Sequence, residues 1–375
     1  MNNYFEGITG QKSAKNILNK LINNSKIPHA LLFQGIDGSG KELISIRFAQ
    51  AVNKKFSSVD NNSPVLKKIA NLTEPYIKYI FPLPRGKNET DTSSAMEKLS
   101  QPEIQTIQEE LNKKILNPYY NLKIPKAQNI KINSIRDIKK FLSLDYSDIK
   151  FRIILISNAH LMNEAAQNAL LKNLEEPPEG VIFILTTPFP ALLRETIRSR
   201  CWIVNFEPLS YSEITDVLAK YFNIDKLNAE SVAPFAGGSV SSALSLIEND
   251  FEHLKEKTIF ILRYSFGRKY NSALNEFASF INESDSESIR ILIQLIIIWL
   301  NDVQKFSYGD NNLFFKDYKE TLEKFNNRFP DIELNGIVTQ LDNLISVFKN
   351  NVNLNTIILS LVFKLSALTS PKMKS

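Results

Sequence analysis

The sequence predicts an α/β protein: a parallel sheet covered on both faces by helices, followed by a small helical lid and an all-α C-terminal domain. Short apolar runs at Ala30–Gln34 (ALLFQ), 76–82 (YIKYIFP), 151–156 (FRIILI), 181–186 (VIFILT) and 202–206 alternate with segments of helical period. Near-continuous apolar strands separated by helices are the pattern of a sheet buried on both sides. After Glu207-Pro208 the strand signals fade, and residues 210–247 carry helical patterning broken by Gly237-Gly238. From about Glu248 to Ser375 nearly every segment has helical period. The expected organisation is an α/β domain over 1–208, a helical lid over 209–247 and a helical domain over 248–375.

The elements follow in order. The first strand leads into a glycine-rich loop and then a segment with apolar residues at Leu43, Ile46, Phe48, Ala49 and Val52, which reads as strand, loop and helix. Between the second and third strands, residues 85–127 form an insertion: a polar stretch (GKNETDTSS), then a helical period at Ile104, Ile107, Leu111 and Ile115. The most apolar run, 289–300 (IRILIQLIIIWL), contains Arg290 and Gln294. It is shorter than the roughly 20 residues a bilayer requires, so it reads as a buried helix; 354–365 (LNTIILSLVFKL) also has helical period.

Composition sets the frame for function. The chain has 375 residues, enough for two or three domains, and its apolar (43%) and charged (23%) fractions are those of globular proteins. A net charge of +5 permits contact with a nucleic-acid backbone but does not by itself indicate it. The opening residues lack a basic stretch followed by an apolar run, so a cytoplasmic location without membrane association is expected. A lone cysteine, Cys201, excludes intramolecular disulfides and thiolate zinc clusters, and His29, His160 and His253 are too scattered for a metal site or a triad.

The loop Gly35-Ile36-Asp37-Gly38-Ser39-Gly40-Lys41-Glu42 fits the P-loop pattern G-x-x-x-x-G-K between a strand and a helix. Gly35, Gly38, Ser39 and Gly40 would let backbone N–H groups curl around a phosphate, with Lys41 reaching the terminal phosphates. The next position, where a Ser or Thr hydroxyl would hold Mg²⁺, is Glu42. Its negative charge weakens nucleotide binding and misplaces the metal, which leaves the retention of ATP or ADP open. P-loop hydrolysis also requires acidic residues at the end of the third strand. That strand ends in Ile156-Ser157-Asn158-Ala159-His160, neutral at both positions; His160 is expected to pack or cap the next helix.

Downstream, NEAAQNALLKNLEEPPEG (163–180) describes a helix stopped by a double proline. Thr186-Thr187 ends the fourth strand, and LLRETIRSRC delivers Ser199-Arg200-Cys201 just before the fifth. Together these runs resemble the clamp-loader branch of AAA+ proteins, shared by the bacterial motor subunit and its delta-prime partner, over roughly residues 5–247. The resemblance implies an AAA+-like module, sensor-like roles for Thr186 and Thr187, and a role for Arg200 as an arginine finger acting in trans on a neighbour's ATP. Without that role, Arg200 would form a surface salt bridge near the strand start.

Three departures separate this chain from the motor-subunit pattern. Glu42 replaces the metal-binding hydroxyl, Ser157-Asn158 replace the acidic pair, and residues 238–244 (GSVSSAL) lack a lid arginine. The four-cysteine zinc module that such subunits often carry cannot form; residues 53–74 take its place without metal. The resemblance therefore implies a non-catalytic, delta-prime-type subunit needing no cofactor, partnered by tau/gamma-type motor and delta-type subunits and acting on a sliding clamp and primed DNA. Its C-terminal domain would join the assembly as a collar. Two rivals are an active AAA+ motor ATPase, and a stand-alone nucleotide-responsive DNA-binding protein, for which no groove-entering helix or stacking set is visible.

Overall fold

The computed structural model describes residues 2–57, 60, 63–90, 92–144, 148–282, 286–330, 332, 334–347 and 353–369. The chain forms two compact units, Met1–Ser242 and Ala243–Ser375.

The first unit is built on five parallel strands: β1 (Ala30–Gln34), β2 (Ile77–Ile80), β3 (Arg152–Ile156), β4 (Val181–Thr187) and β5 (Trp202–Asn205), in the order β2-β3-β4-β1-β5. Each expected strand is present. Parallel neighbours cannot be joined by a hairpin, so each connection carries helices that cover the sheet. Helix α1 (Lys12–Asn23) precedes β1, and the connections carry α2 (Lys41–Phe56), α3 (Pro64–Ala70), α4 (Gln101–Leu116), α5 (Ile132–Arg136), α6 (Ile138–Leu142), α7 (Glu164–Glu175) and α8 (Glu195–Arg198). The central strands β1, β3 and β4 are almost wholly buried. The apolar run at β5 does not share that burial. Trp202 and Ile203 are exposed, because β5 is an edge strand with one neighbour only. At β2 the ladder stops at Ile80, before Pro82, which has no N–H to donate.

Local signals explain the helix limits. Asn163 caps α7 by accepting from Ala166 N at 2.8 Å, and α7 stops just before Pro177-Pro178. Arg152, buried at the start of β3, donates to the carbonyls of Phe141 (2.8 Å) and Leu142 (3.0 Å), satisfying the end of α6. The insertion does contain an amphipathic helix, α4, but its buried stripe is Ile107, Glu110 and Lys114. Ile107 packs with Phe81, Leu83, Ala95 and Leu99, and the predicted Ile104 and Leu111 flank that cluster. Glu110 is held by the Tyr120 hydroxyl (2.9 Å), Lys113 Nζ (2.7 Å) and Lys123 N (2.6 Å).

Helices α9 (Tyr211–Phe222), α10 (Lys226–Val232) and α11 (Val240–Glu248) follow the sheet. A capping box starts α9: Ser210 Oγ accepts from Glu213 N at 3.3 Å while the Glu213 carboxylate accepts from Ser210 N at 2.8 Å.

The second unit comprises α12 (Phe251–Phe266), α13 (Tyr270–Asn275), α14 (Ala278–Asn282), α15 (Ser286–Ser307), α16 (Lys319–Arg328), α17 (Asn335–Val347) and α18 (Leu354–Leu368). The run 289–300 lies inside α15, with Ile293, Ile296 and Trp299 buried. Trp299, Phe266 and Phe325 form an aromatic cluster with ring centroids 4.7–5.9 Å apart. No helix among the described residues is long and apolar enough to cross a membrane.

Asp302 is fully buried in α15. Its Oδ2 accepts from Phe314 N (2.8 Å) and Phe315 N (2.7 Å), while Oδ1 has no hydrogen-bond partner among the described residues. Burial raises its carboxyl pKa despite those amide bonds. The folded state therefore keeps a proton that the unfolded state releases, and stability falls as pH rises from the ordinary Asp range, about 3.9, through the folded value. Asp302→Asn should raise Tm over wild type by roughly 2–4 °C at pH 7.5 and by distinctly less at pH 4. Paired thermal melts at the two pH values check this, and an advantage that shrinks as pH rises would contradict it.

Candidate functional site

The glycine-rich loop runs from the end of β1 to the first residue of α2, on the carboxyl edge of the sheet where parallel α/β folds place their sites. Two of its glycines are required sterically. Gly35 has φ +151° and a Cβ there would lie 2.3 Å from the Phe206 carbonyl oxygen; Gly38 has φ +70° and its Cβ would meet Ser241 N at 2.5 Å. Ser39 is buried and its hydroxyl donates to Ile36 O at 2.8 Å. Lys41 is also buried. Its ammonium donates to the loop's own carbonyls, Gly35 O at 2.7 Å and Ile36 O at 2.6 Å, with Asp37 Oδ1 3.9 Å away. Burial lowers the Lys41 pKa, partly offset by Asp37 and Glu42.

Glu42 is the centre of a small polar network. Its Oε2 forms an ion pair with Lys114 Nζ and accepts from the Tyr79 hydroxyl at 3.2 Å, while Oε1 accepts from Ser157 Oγ. Lys114 Nζ also donates to Pro118 O and Tyr120 O, both at 2.7 Å, so its three donors have three acceptors. The Tyr79 hydroxyl is pushed well above its ordinary pKa, first by burial and then by the Glu42 charge. In P-loop enzymes a hydroxyl on the loop helix and a carboxylate on the strand share the metal. Here the two are exchanged: the carboxylate is Glu42 on α2 and the hydroxyl is Ser157 just after β3.

Beside them, Thr186 Oγ1 accepts from Asn158 N at 3.3 Å, and Thr187 Oγ1 lies 3.1 Å from His160 Nδ1. His160 packs edge-on against Phe189 at 5.2 Å, as its position after β3 suggests. Lys41, Glu42, Ser157, Asn158 and Thr186 thus converge at one edge of the sheet.

Ser199, Arg200 and Cys201 lie between α8 and β5. Arg200 is about one-third exposed; its guanidinium pairs with Glu175 Oε1 at 2.9 Å and donates to Thr196 O at 2.8 Å. Ser199 is exposed and donates to Thr196 O at 3.2 Å. Cys201 is buried in the core with Leu193 and Ile197, and burial pushes its thiol up to about 12, a packed group with almost no thiolate at neutral pH. No group of three His, Cys, Asp or Glu residues suited to a metal ion occurs among the described residues.

Sequence reasoning missed Lys114, Tyr119, Glu175 and the lid serines as members of these sites. Lys114 was detectable in principle: it lies seven residues after Ile107, on the same helical stripe, where a solvated lysine does not belong. Tyr119 and Ser241 carry no local signal, since only the fold brings them to the loop.

This chain has counterparts among known proteins. DNA polymerase III subunit tau of Bacillus subtilis is 27% identical over 249 residues, covering 65% of this chain and 37% of that protein. The gamma subunit of Buchnera aphidicola subsp. Schizaphis graminum is 28% identical over 260 residues, covering 68% and 60%. The chain thus spans less than two thirds of the length of either relative. Among solved structures, a DNA polymerase III gamma subunit-related protein from Thermotoga maritima aligns over 96% of this chain and 100% of that one, at 16% identity and a TM-score of 0.45. Residues 10–210 match the family model described as DNA polymerase III, delta subunit. With more than half of its 375 residues in that match, this chain belongs to that family, within the clamp-loader AAA+ proteins of DNA polymerase III.

Proposed function

We propose that this chain is a non-catalytic, delta-prime-type subunit of a clamp loader, which stabilises the assembly and supplies Arg200 in trans to the ATP of a motor neighbour. The observation that carries the silent half of this reading is the Glu42 network. The residue that should bind Mg²⁺ through a hydroxyl is a carboxylate already paired with Lys114, and the residues following β3, Ser157 and Asn158, offer no acid. The finger half is supported by the position of Arg200 at the head of an exposed edge strand, where its side chain is still one-third exposed. Its pairing with Glu175 does not oppose that role. An exposed ion pair contributes about 0–1 kcal/mol and can be exchanged for contact with a phosphate. The partners would be tau/gamma-type and delta-type subunits, with the sliding clamp and primed DNA reached through the complex; zinc would play no part.

The rival is an active motor subunit, favoured by the tau and gamma names of the relatives. It requires hydrolysis by the chain itself. Steady-state phosphate release by the purified protein with Mg²⁺-ATP should not exceed background. Turnover that disappears in Lys41→Ala would establish the motor reading instead.

For the finger, Arg200→Ala should leave the protein folded, with stability within about 1 kcal/mol of wild type, and still able to assemble. In reconstituted complexes it should lower clamp- and DNA-stimulated ATP turnover about twofold or more, since one site of several loses its arginine. Arg200→Lys should restore little, because an ammonium lacks the planar fork of donors. Wild-type turnover and loading by Arg200→Ala complexes would exclude the finger.

A further inference from the structure

The insertion between β2 and β3 enters the function proposed above only through Lys114, yet it also covers part of the P-loop. After α4 ends, the chain returns through Pro118, Tyr119 and Tyr120 beneath the loop. Tyr119 is buried against Gly40, so that a Cβ on Gly40 would lie 3.2 Å from the tyrosine oxygen. From the other side the lid closes in. Val240 N donates to Gly38 O at 3.2 Å, and Ser239 and Ser241 crowd the Gly38 α-carbon. What remains between Asp37, Gly40, Lys41, Lys114, Tyr119 and Thr186 is a cavity of about 30 Å³. That is room for a water or two, where small-molecule sites typically offer about 300–1,000 Å³.

The chemistry of the occupants matches what they exclude. A P-loop site must present a cation to the carboxylate and hydroxyl that hold the metal, and must give the loop lysine an anionic partner. Lys114 brings a tethered cation to Glu42, beside the Ser157 hydroxyl, and Lys41 finds its acceptors in the carbonyls of Gly35 and Ile36. A buried carboxylate without a cation would be costly, and so would a buried ammonium without acceptors. Each is satisfied from within the chain.

We propose that residues 85–127 are a built-in occupant of the P-loop: the Lys114 ammonium stands in for the metal, Tyr119 fills the space over Gly40, and together they hold the loop shut against nucleotides. This concerns the isolated chain and is independent of Arg200, so its failure would leave the trans role untouched.

The test measures binding of a fluorescent adenine nucleotide with Mg²⁺ to the full-length chain. Wild type should not bind at millimolar nucleotide, and neither should Glu42→Thr, which restores the metal-binding hydroxyl but leaves the plug. Combining Glu42→Thr with Lys114→Ala and Tyr119→Ala should give saturable binding at about 0.1 mM nucleotide or below, at least about tenfold tighter than that millimolar limit. The proposal is overturned if wild type binds, if Glu42→Thr alone gains as much as the triple variant, or if the folded triple variant gains nothing. Should the triple variant not fold, Tyr119→Ala alone decides: amide hydrogen exchange across residues 38–44 should accelerate relative to that of β1, and unchanged exchange there would equally refute the plug.

Discussion

A parallel sheet buried on both faces is the constraint from which the rest of the first unit follows. Strands such as Ile153–Ile156 and Val181–Leu185 are apolar on both sides and buried throughout, so every connection between them must carry covering helices. That requirement sends each chain crossing back over the sheet and brings the loops after β1, β3 and β4 to one edge. The P-loop, Ser157-Asn158 and Thr186-Thr187 are neighbours for this reason, although more than a hundred residues of sequence separate the P-loop from the other two. The edge strand β5 escapes the same rule on its open side, where Trp202 and Ile203 remain exposed next to Arg200.

Within that frame a single carboxylate reorganises the site. Glu42 lies in the first turn of α2, where the helix dipole favours negative charge, but it is largely withdrawn from water and must find partners. It takes a lysine from the insertion, a hydroxyl from the end of β3 and a phenol from β2. The exchange of hydroxyl and carboxylate between α2 and β3 keeps the same two functional groups facing each other, yet the charge between them is now supplied by the protein. The carboxylate on α2 and the hydroxyl after β3 are thus coupled directly, through the Glu42–Ser157 hydrogen bond.

The five strands were legible in the sequence because buried parallel strands write themselves as apolar runs, and so was the P-loop, because its glycines are fixed by steric contacts with Phe206 and Ser241. The departures at Glu42, Ser157 and Asn158 could be read as losses. Their replacement by new contacts could not, since Lys114 and Tyr119 reach the loop only through the path of the insertion. The helix in that insertion was predicted from Ile104, Ile107, Leu111 and Ile115, whereas burial follows Ile107, Glu110 and Lys114. Hydrophobic periodicity locates this amphipathic helix and its packed residues Ile104, Ile107 and Leu111, but not the satisfied charges, Glu110 and Lys114, buried beside them.

Lys114 and Arg200 differ in how firmly they are held. Lys114 is nearly inaccessible, with an ion pair and two carbonyl acceptors, so displacing it would leave buried polar groups on several elements unsatisfied. Arg200 has one half-exposed carboxylate and one carbonyl, and solvent can replace both at little cost. A group that must leave its resting partners to meet a ligand on another protein is best kept in the second condition, and a group that must keep a site closed is best kept in the first. The contrast in burial between Lys114 and Arg200 therefore fits the two proposed roles: one lysine closing the chain's own P-loop, and one arginine held loosely at the edge strand and available to a neighbour.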